Sequence, residues 1–209
     1  MKKEHFLIID TETTQDNLVA DFGAIICDRK GRIVTQCAVL IAGIYNDPAE
    51  HPLFFTSDPS GIWSKHGQDA RYAAYDRLLN SGARMLASVA AVNRWLDRAS
   101  QQYDPILTAY NLPFDMDKCR NTGIDLNRFT RRFCLWSAAF TRWAHTRKYR
   151  EFVLECHGFN PPTDRGNASY KTNAEIMARF VMGDMALPNE PHTALEDVIG
   201  YELPVLQKL

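Results

Sequence analysis

A short apolar segment that ends in acidic residues constrains this chain more than any other feature. Residues 6–9 (Phe-Leu-Ile-Ile) are followed at once by Asp10, Thr11, Glu12 and Thr13. An apolar run of this length is typical of a buried strand. Side chains two apart on a strand share a face with Cβ atoms about 7 Å apart, so Asp10 and Glu12 could bind one hard cation or share two. An exposed turn is the commoner meaning of Asp-x-Glu, but its position directly after an apolar strand argues against a turn.

The remaining pattern predicts an α/β protein. β-Rich segments at 18–27 and 33–41, joined by a turn at 28–31, predict an antiparallel meander with the first strand. Helical and strand patterns then alternate: helices at 68–80 and 84–99, a strand at 105–110, a helix at 114–120, a strand at 133–135 and a helix of about twenty residues from 137. This order predicts helices flanking a mixed sheet.

Two segments interrupt this alternation. Prolines and glycines break any period across 43–67, which predicts a long ordered loop, and 160–169 is a second, Pro-rich loop. Capping boxes that begin at Thr172 and Thr193 predict two further helix starts. The 209 residues suit one domain, 1–209, with a long loop insertion around 43–67 and an added helix and loop around 136–170.

The charge and cysteine content limits the classes of function. With 24 basic and 25 acidic residues the chain has no uniformly basic coat, yet residues 118–150 hold nine Lys or Arg against one acid, Asp125. Such a run can contact a polyanion, although a solvated helix face is its commoner meaning. The five cysteines form no CxxC pair, which is typical of reduced thiols, and no segment suits a signal peptide or a membrane span. We therefore expect a soluble, cytoplasmic protein without a membrane partner.

A second candidate carboxylate follows a later strand. In Asn111-Leu-Pro-Phe-Asp115, Pro113 presets the start of a helix and Phe114 can anchor the turn in the core. Asp115 would then project from a rigid element, as a metal ligand should. A favourable interaction with the helix dipole is the simpler explanation of this residue taken alone.

His192 and Asp197 form the third candidate pair. The bare His-x4-Asp pattern is expected by chance about half a time in a chain of this composition. If Thr193 caps a helix and Glu196 closes its capping box, His192 and Asp197 occupy the two positions that pack together in a hydrophobic staple. An imidazole would then lie beside a carboxylate at a helix entrance. A pair that only steadies the helix end is the alternative.

Together, in this order and spacing, the three segments resemble the three motifs of the DEDDh family of 3′→5′ exonucleases. The resemblance runs from Asp10 to Asp197 and includes Phe22-Gly-Ala on the second strand. Lys65-His66-Gly67 resembles a substrate-loop histidine of some members, and Tyr170-Lys-Thr resembles bacteriophage-type relatives. The resemblance implies a ribonuclease H-like fold, with a mixed five-stranded sheet flanked by helices.

The resemblance also implies a chemistry. Asp10, Glu12, Asp115 and Asp197 would bind two Mg²⁺ or Mn²⁺ ions that activate a water and stabilise the leaving 3′ oxygen. His192 would act as general base, and the products would be nucleoside 5′-monophosphates. Substrate contacts are expected from six residues: Thr11, Thr13, Phe22, His66, Asn111 and Phe114.

The implied partner is nucleic acid with a free 3′ end, with single-stranded DNA favoured and a polymerase or recombination protein as an associate. An exoribonuclease of the same family is the first alternative, because no motif here displays contacts to a 2′-hydroxyl. A nucleic-acid-binding module that has lost catalysis is the second, and the presence of all five catalytic residues argues against it. An unrelated structural protein is the remaining alternative. Strand preference, processivity and oligomeric state have no signal in the sequence.

Overall fold

A mixed β-sheet forms the centre of the molecule. The computed structural model describes residues 4–167 and 169–209, so that Ala168 in the predicted loop at 160–169 lies outside the described residues. Six strands occur in the order β4-β3-β2-β1-β5-β6. Their bounds are β1 His5–Thr13, β2 Val19–Asp28, β3 Ile33–Ile41, β4 Met85–Ala87, β5 Ile106–Ala109 and β6 Arg132–Cys134.

The predicted meander and the α/β class are both confirmed. β1, β2 and β3 are antiparallel neighbours, whereas β4, β5 and β6 each run parallel to the strand beside them. The predicted count of five strands is wrong by one, because the region expected to begin a helix at 84 first forms β4. Met85 and Leu86 suit a helix by propensity, but the open edge of β3 offers them ladder hydrogen bonds, and this tertiary pairing wins.

Eight helices cover the sheet in the described part of the chain. They are α1 Lys65–Ser81, α2 Val89–Tyr103, α3 Leu112–Thr122, α4 Leu135–Ala139, α5 Arg147–Glu155, α6 Ala174–Met182, α7 Ala194–Asp197 and α8 Leu203–Lys208. Five-residue π-helical turns extend α4 through Phe140–Ala144 and join α7 to α8 through Val198–Glu202. None of these helices combines the length and the apolar character needed to cross a membrane.

The long helix predicted from 137 is two helices. The first already begins at Leu135, and the chain breaks at His145 and Thr146. The Thr146 hydroxyl caps α5 by accepting the Tyr149 N–H at 3.2 Å. A polar cap inside an amphipathic stretch therefore ended one helix and started another, as Ser, Thr, Asn and Asp commonly do.

The two faces of the sheet carry separate hydrophobic cores. On β1, Leu7 and Ile9 pack toward α1, α2 and α3, whereas Phe6 and Ile8 pack toward the C-terminal helices α4–α8. All four side chains are almost completely buried, and each contributes about 1.5–3 kcal/mol by leaving water. Because side chains alternate along a strand, Asp10 and Glu12 continue the face of the C-terminal helices, and Thr11 continues the face of α3.

Residues 42–64 form the long loop between β3 and α1, close to the predicted 43–67. This loop is fastened to the acidic end of β1. The Phe54 N–H donates to the Thr13 carbonyl at 2.9 Å, and the Gln15 N–H donates to the Pro52 carbonyl at 2.9 Å. Leu53 is buried between them. The loop therefore lies over the strand end that carries Asp10 and Glu12.

Candidate active site

The carboxylates predicted from three separate segments meet at one edge of the sheet. β1 and β5 are parallel neighbours, so their carboxyl ends lie side by side, and α3 begins three residues after β5. This geometry places Asp115, on the first turn of α3, against the end of β1. The Thr11 hydroxyl donates to Asp115 Oδ1 at 2.8 Å. The first two segments are thus joined by a buried hydrogen bond across 104 residues of sequence.

A glycine on β2 lets the third segment reach this edge. A Cβ atom at Gly23 would lie 2.3 Å from the Leu195 nitrogen and 2.4 Å from the Ala194 carbonyl carbon. Since both are backbone atoms, any larger residue at this position would force α7 away from the sheet. Gly23 therefore permits the close approach that carries Asp197 to the end of β1.

Glu12, His192 and Asp197 form the tightest group. Their potential ligand atoms all lie within 4.8 Å of one another, and His192 Nδ1 is 3.7 Å from Glu12 Oε1. His192 and Asp197, expected side by side at the entrance of α7, have possible ligand atoms within 4.8 Å of each other. The His192 backbone has a φ of 55°, a left-handed conformation that costs a non-glycine residue about 1–3 kcal/mol and concentrates at functional sites.

The capping details differ from the prediction. Thr193 does cap α7, but its side chain makes no capping hydrogen bond. Glu196 turns away to Arg84 instead of closing the box. At α6 the cap is Asn173, one residue later than predicted, and its side chain accepts the Ile176 N–H at 3.4 Å. In both cases a neighbouring group competes successfully for the side chain that the box would use.

The carboxylates of the site carry more negative charge than the protein cations near them can neutralise. Burial, followed by repulsion from Asp115, raises the pKa of Asp10 well above its usual value. Burial raises the pKa of Asp115 to about 7, against the opposing hydrogen bond from Thr11. Burial, followed by repulsion from Glu12 and Glu190, raises the pKa of Asp197 to about 9. Each shift has the sign expected when like charges share a site of low polarity.

These residues fit a divalent cation. Asp197 Oδ1 is buried without a hydrogen-bond partner among the described residues, so it has lone pairs that a cation could use. The donors are carboxylate oxygens, which Mg²⁺ and Mn²⁺ prefer, and one imidazole lies beside them. A cation would neutralise the charge that raises these pKa values. Asp10 and Asp115 lie outside this 4.8 Å group; Asp10 lines the same cavity as Glu12 and His192, and Asp115 accepts the Thr11 hydroxyl.

Glu202 is a fifth buried carboxylate that the sequence motifs did not indicate. Its Oε1 accepts the Tyr110 N–H at 3.1 Å, and its Oε2 is buried without a partner. Burial, followed by repulsion from Asp115, raises its pKa well above the usual value. In an α-helix, residues five apart point to different sides, but the π-helical turn after Asp197 brings Glu202 round to the site. That turn is invisible in helical periodicity.

Aromatic side chains from the 42–64 loop hold the imidazole in place. The ring of Trp63 lies 4.6 Å from that of His192, centroid to centroid, and Phe54 packs edge-on to Trp63 at 5.8 Å. Arg71 is on α1. Its guanidinium lies 4.7 Å from the centroid of the Trp63 ring and donates to the Phe54 carbonyl. Arg71 is only 1% exposed. A buried cation therefore fixes the tryptophan that contacts His192.

A cavity of about 310 Å³ opens above the carboxylates. It is lined by Asp10, Thr11, Glu12, Thr13, Asn17, Phe54, Trp63, Phe114, Lys118 and His192. Phe114 is 42% exposed, which corrects its expected role as a core anchor: its ring faces the cavity, with Lys118 Nζ 4.8 Å from its centroid. The cavity thus combines an acidic floor, aromatic walls and one ammonium group.

Not every predicted substrate residue reaches this cavity. Thr11 and Thr13 line it, but Phe22 is completely buried beneath the sheet and cannot stack on a base. His66 is exposed and lies outside the cavity. The prediction placed it in the loop, but α1 begins at Lys65, so His66 is on the first turn of the helix. Asn111 lies at the start of α3 and lines a separate cavity.

The predicted basic run does not form one free face. Arg120, Arg128, Arg131 and Arg147 each form an ion pair with an acidic residue. These partners, Asp117, Asp97, Asp104 and Glu151, all lie outside the run, so counting charges within 118–150 did not include them. Lys118 is the one member of the run that lines the cavity.

A buried ion network anchors α7 beside the site. Asp21 Oδ1 accepts Arg84 Nε at 3.1 Å, and Arg84 Nη2 lies 2.5 Å from Glu196 Oε2. Asp21 Oδ2 also accepts the Ala194 N–H at 2.9 Å. Since Ala194 and Glu196 are in the helix that carries Asp197, this network fixes the third segment of the site.

Comparison with known proteins gives a limited likeness. No protein-family model and no curated protein matches the sequence. A solved structure of E. coli exonuclease I, in complex with a 5cy-dT13 oligonucleotide, is similar with a TM-score of 0.46 and 17% sequence identity. The alignment covers 96% of this chain and 39% of that chain, so this chain spans well under half of its length. The function is therefore inferred from the geometry of the site.

Proposed function

We propose that this protein is a metal-dependent 3′→5′ exonuclease that hydrolyses single-stranded nucleic acid, with DNA favoured, to nucleoside 5′-monophosphates. One observation carries the proposal. Carboxylates and an imidazole from three distant segments converge beneath a cavity, and the four carboxylates outnumber the cations near them, Arg71 and Lys118. A structural cluster of this kind would be costly, because buried like charges repel unless a cation joins them.

Each residue has a defined part in this chemistry. Asp10, Glu12, Asp115 and Asp197 would hold two Mg²⁺ or Mn²⁺ ions, which supply water activation and stabilisation of the leaving oxygen. His192 accepts the proton of the attacking water. Glu12 lies 3.7 Å from its Nδ1 and stabilises the imidazolium that results. Thr11 orients Asp115 through its hydroxyl, and Trp63 keeps the imidazole turned toward the site.

The shape of the cavity supports action at a chain end. The 42–64 loop is fastened to the end of β1 and closes one side. A strand can therefore enter from the other side and place its terminal nucleotide over the carboxylates. The rings of Phe54, Trp63 and Phe114 offer stacking surfaces for the terminal base, and Lys118 offers a cation for phosphate. An associated polymerase or recombination protein stays a prediction from the family resemblance.

Digestion of 5′-labelled DNA and RNA oligomers tests the proposal. With Mg²⁺ or Mn²⁺ we expect a ladder that shortens from the unlabelled 3′ end, and chelator should abolish it. Faster shortening of the RNA would identify an exoribonuclease instead. Binding without cleavage under all metal conditions would point to a silent binding module and would overturn the proposal.

A further inference from the structure

A cavity of about 310 Å³ lies among the C-terminal helices. Its wall comes from the π-helical turn after α4 and from α5, α6 and α8. It is lined by Trp143, Thr146, Lys148, Phe180, Val181 and Lys208. None of these residues lines the cavity above the carboxylates. This C-terminal cavity is therefore a separate feature, in a part of the chain to which the proposed function assigns no role.

The charged side chains that line the C-terminal cavity are both cationic. Lys148 and Lys208 are exposed, and neither forms an ion pair with a residue in 4–167 or 169–209. Lys148 belongs to the basic run at 118–150, in which four arginines are paired with acids. Because no acid in the described part of the chain neutralises these two ammonium groups, they are available to an anion from outside. Lysine is a common ligand of phosphate groups.

Two aromatic rings complete the wall of the C-terminal cavity. Phe180 packs edge-on against Trp143 and Tyr149, with ring centroids 6.3 Å and 4.9 Å apart. Lys148 Nζ lies 5.9 Å from the Phe180 centroid, which holds one cation beside the aromatic wall. Trp143 is half-buried, and its indole N–H has no acceptor among the described residues. Since a buried indole N–H usually finds a partner, this donor is available to a ligand.

We propose that the C-terminal cavity binds a nucleotide unit, with its base against Phe180 and Trp143 and its phosphates at Lys148 and Lys208. Cations that contact the backbone, combined with aromatic rings that contact the bases, are how proteins bind single strands. A purely anionic ligand would leave the aromatic wall unused, and a metal ion would be repelled by the two ammonium groups. The choice of a nucleic-acid ligand rests on the proposed function.

Two sources could supply this ligand. An internal nucleotide of a bound strand and a free nucleoside 5′-monophosphate share the same chemistry, a nucleobase linked to phosphate. The probes are therefore thymidine 5′-monophosphate and an oligothymidylate longer than the roughly 4–16 nucleotides that single-strand-binding domains cover. Both are added to the full chain in Ca²⁺, with chromatography to show that the oligomer stays intact.

The indole resonance of Trp143 reports occupancy of the cavity directly. Proton–nitrogen correlation spectra resolve the four tryptophan indoles, and the Trp143→Phe variant assigns the one of interest. We expect the oligomer to shift this resonance. A shift with the monophosphate as well would show that a free nucleotide is a sufficient ligand, whereas a shift with the oligomer alone would assign the cavity to an internal nucleotide.

A double variant tests the two cations. Lys148→Gln combined with Lys208→Gln should lower the slope of log Kd against log salt by about 1.4, at about 0.7 for each phosphate contact of a single strand. Affinity for the oligomer at low salt should fall by at least about tenfold. Arg77→Gln combined with Arg94→Gln is the matched control, because it removes the same charge from exposed positions on α1 and α2, on the other face of the sheet. That pair should leave both quantities unchanged.

Three results would overturn the C-terminal cavity as a nucleotide site. The first is a Trp143 resonance that moves with neither probe, and the second is an equal loss of slope in the two double variants. The third is a polyglutamate peptide that shifts the resonance as far as the oligomer does, since charge alone would then explain binding. Hydrolysis of a thymidine dinucleotide in Mg²⁺ separates this failure from that of the proposed function: it should continue at the wild-type rate in the lysine variant, and its absence from wild type would overturn the nuclease itself.

Discussion

Two groups of buried carboxylates lie on neighbouring strands, and protein cations match only one of them. Asp21 on β2 is the register partner of Glu12 on β1. Asp21 has Arg84 at 3.1 Å and a backbone N–H at 2.9 Å. Among the described residues, the acids of the other group have only His192 within ion-pair distance, and it contacts Glu12. The matched group is completed within the protein, and we propose that the unmatched group is completed by a metal ion.

The same contrast separates two consecutive residues. Glu196 reaches Arg84, whereas Asp197 faces the cluster with Glu12 and His192. Consecutive residues of a helix point about 100° apart, so α7 serves both groups at once. The two acids of α7 therefore differ in whether a protein cation lies on their side of the helix.

The largest expected effect comes from separating these two neighbours. Asp197→Asn should lower hydrolysis by about a thousandfold or more, because it removes a ligand from a two-metal site. Glu196→Gln should keep the wild-type rate and lose only about 1 kcal/mol of stability, since its carboxylate is partly exposed. Turnover of a labelled oligomer and urea unfolding measure the two effects. Full activity in folded Asp197→Asn would contradict the assignment.

Breaking the matched group should cost stability. Arg84→Met leaves the Asp21 carboxylate buried without its cation, and losses of about 3–5 kcal/mol are typical for such a change. Because burial sets the pKa of Asp21 at about 6 even with Arg84 present, the loss should be smaller at pH 5, where this carboxyl is protonated. Urea unfolding at pH 5 and pH 8 compares them. The exposed Arg77→Met is the control, and an equal loss there would refute the role of the network.

The imidazole should matter for rate more than for metal binding. His192→Asn removes the base but keeps a residue that tolerates a left-handed backbone, and it should slow hydrolysis by about a hundredfold at pH 7. His157→Asn is a matched control, because His157 also has a positive φ, 52°, and lies outside the site. Mn²⁺ titration completes the test. A parallel collapse of Mn²⁺ affinity would make His192 a metal ligand instead of a base.

The last comparison is a pH dependence of stability that metal should erase. In the metal-free protein the pKa values of Asp115 and Asp197 are raised to about 7 and about 9. Between pH 4 and these values the folded state holds protons that the unfolded state has lost. The free energy of unfolding should therefore fall as pH rises from 5 to 9, by at most about 1.4 kcal/mol per unit for each group.

Saturating Mn²⁺ should flatten this decline and release protons on binding. Denaturation across the pH range, and calorimetry in buffers of different ionisation enthalpy, measure both results. Asp197→Asn should flatten the metal-free profile in the same way. A wild-type profile that is already flat without metal would show that the acids are matched inside the protein.

Much of the site could be predicted from local sequence. An apolar strand that ends in Asp-x-Glu, an acid on the first turn after Pro113, and the spacing of His192 and Asp197 around a helix start are short-range patterns. Strand alternation and helix-start geometry connect each of them directly to a side-chain direction. The meander of β1, β2 and β3 could also be predicted, because its strands and turn are short-range patterns.

Other features depended on contacts between distant segments. Met85–Ala87 became a strand because β3 had an open edge. Phe22 is buried because it lies in a hydrophobic core, and Phe114 is exposed because it lies at the cavity. Glu202 joined the site through a π-helical turn. No local pattern encodes these outcomes, since each requires knowing which other element packs there.

The sequence by itself determined which residues carry the acids and the order in which they come. Only the tertiary structure decided which acids are matched, because charge matching depends on distances between segments far apart in the chain. Arg84 is 63 residues from Asp21 and 112 from Glu196, and it settles the character of both. The unmatched acids are those that this arginine does not reach.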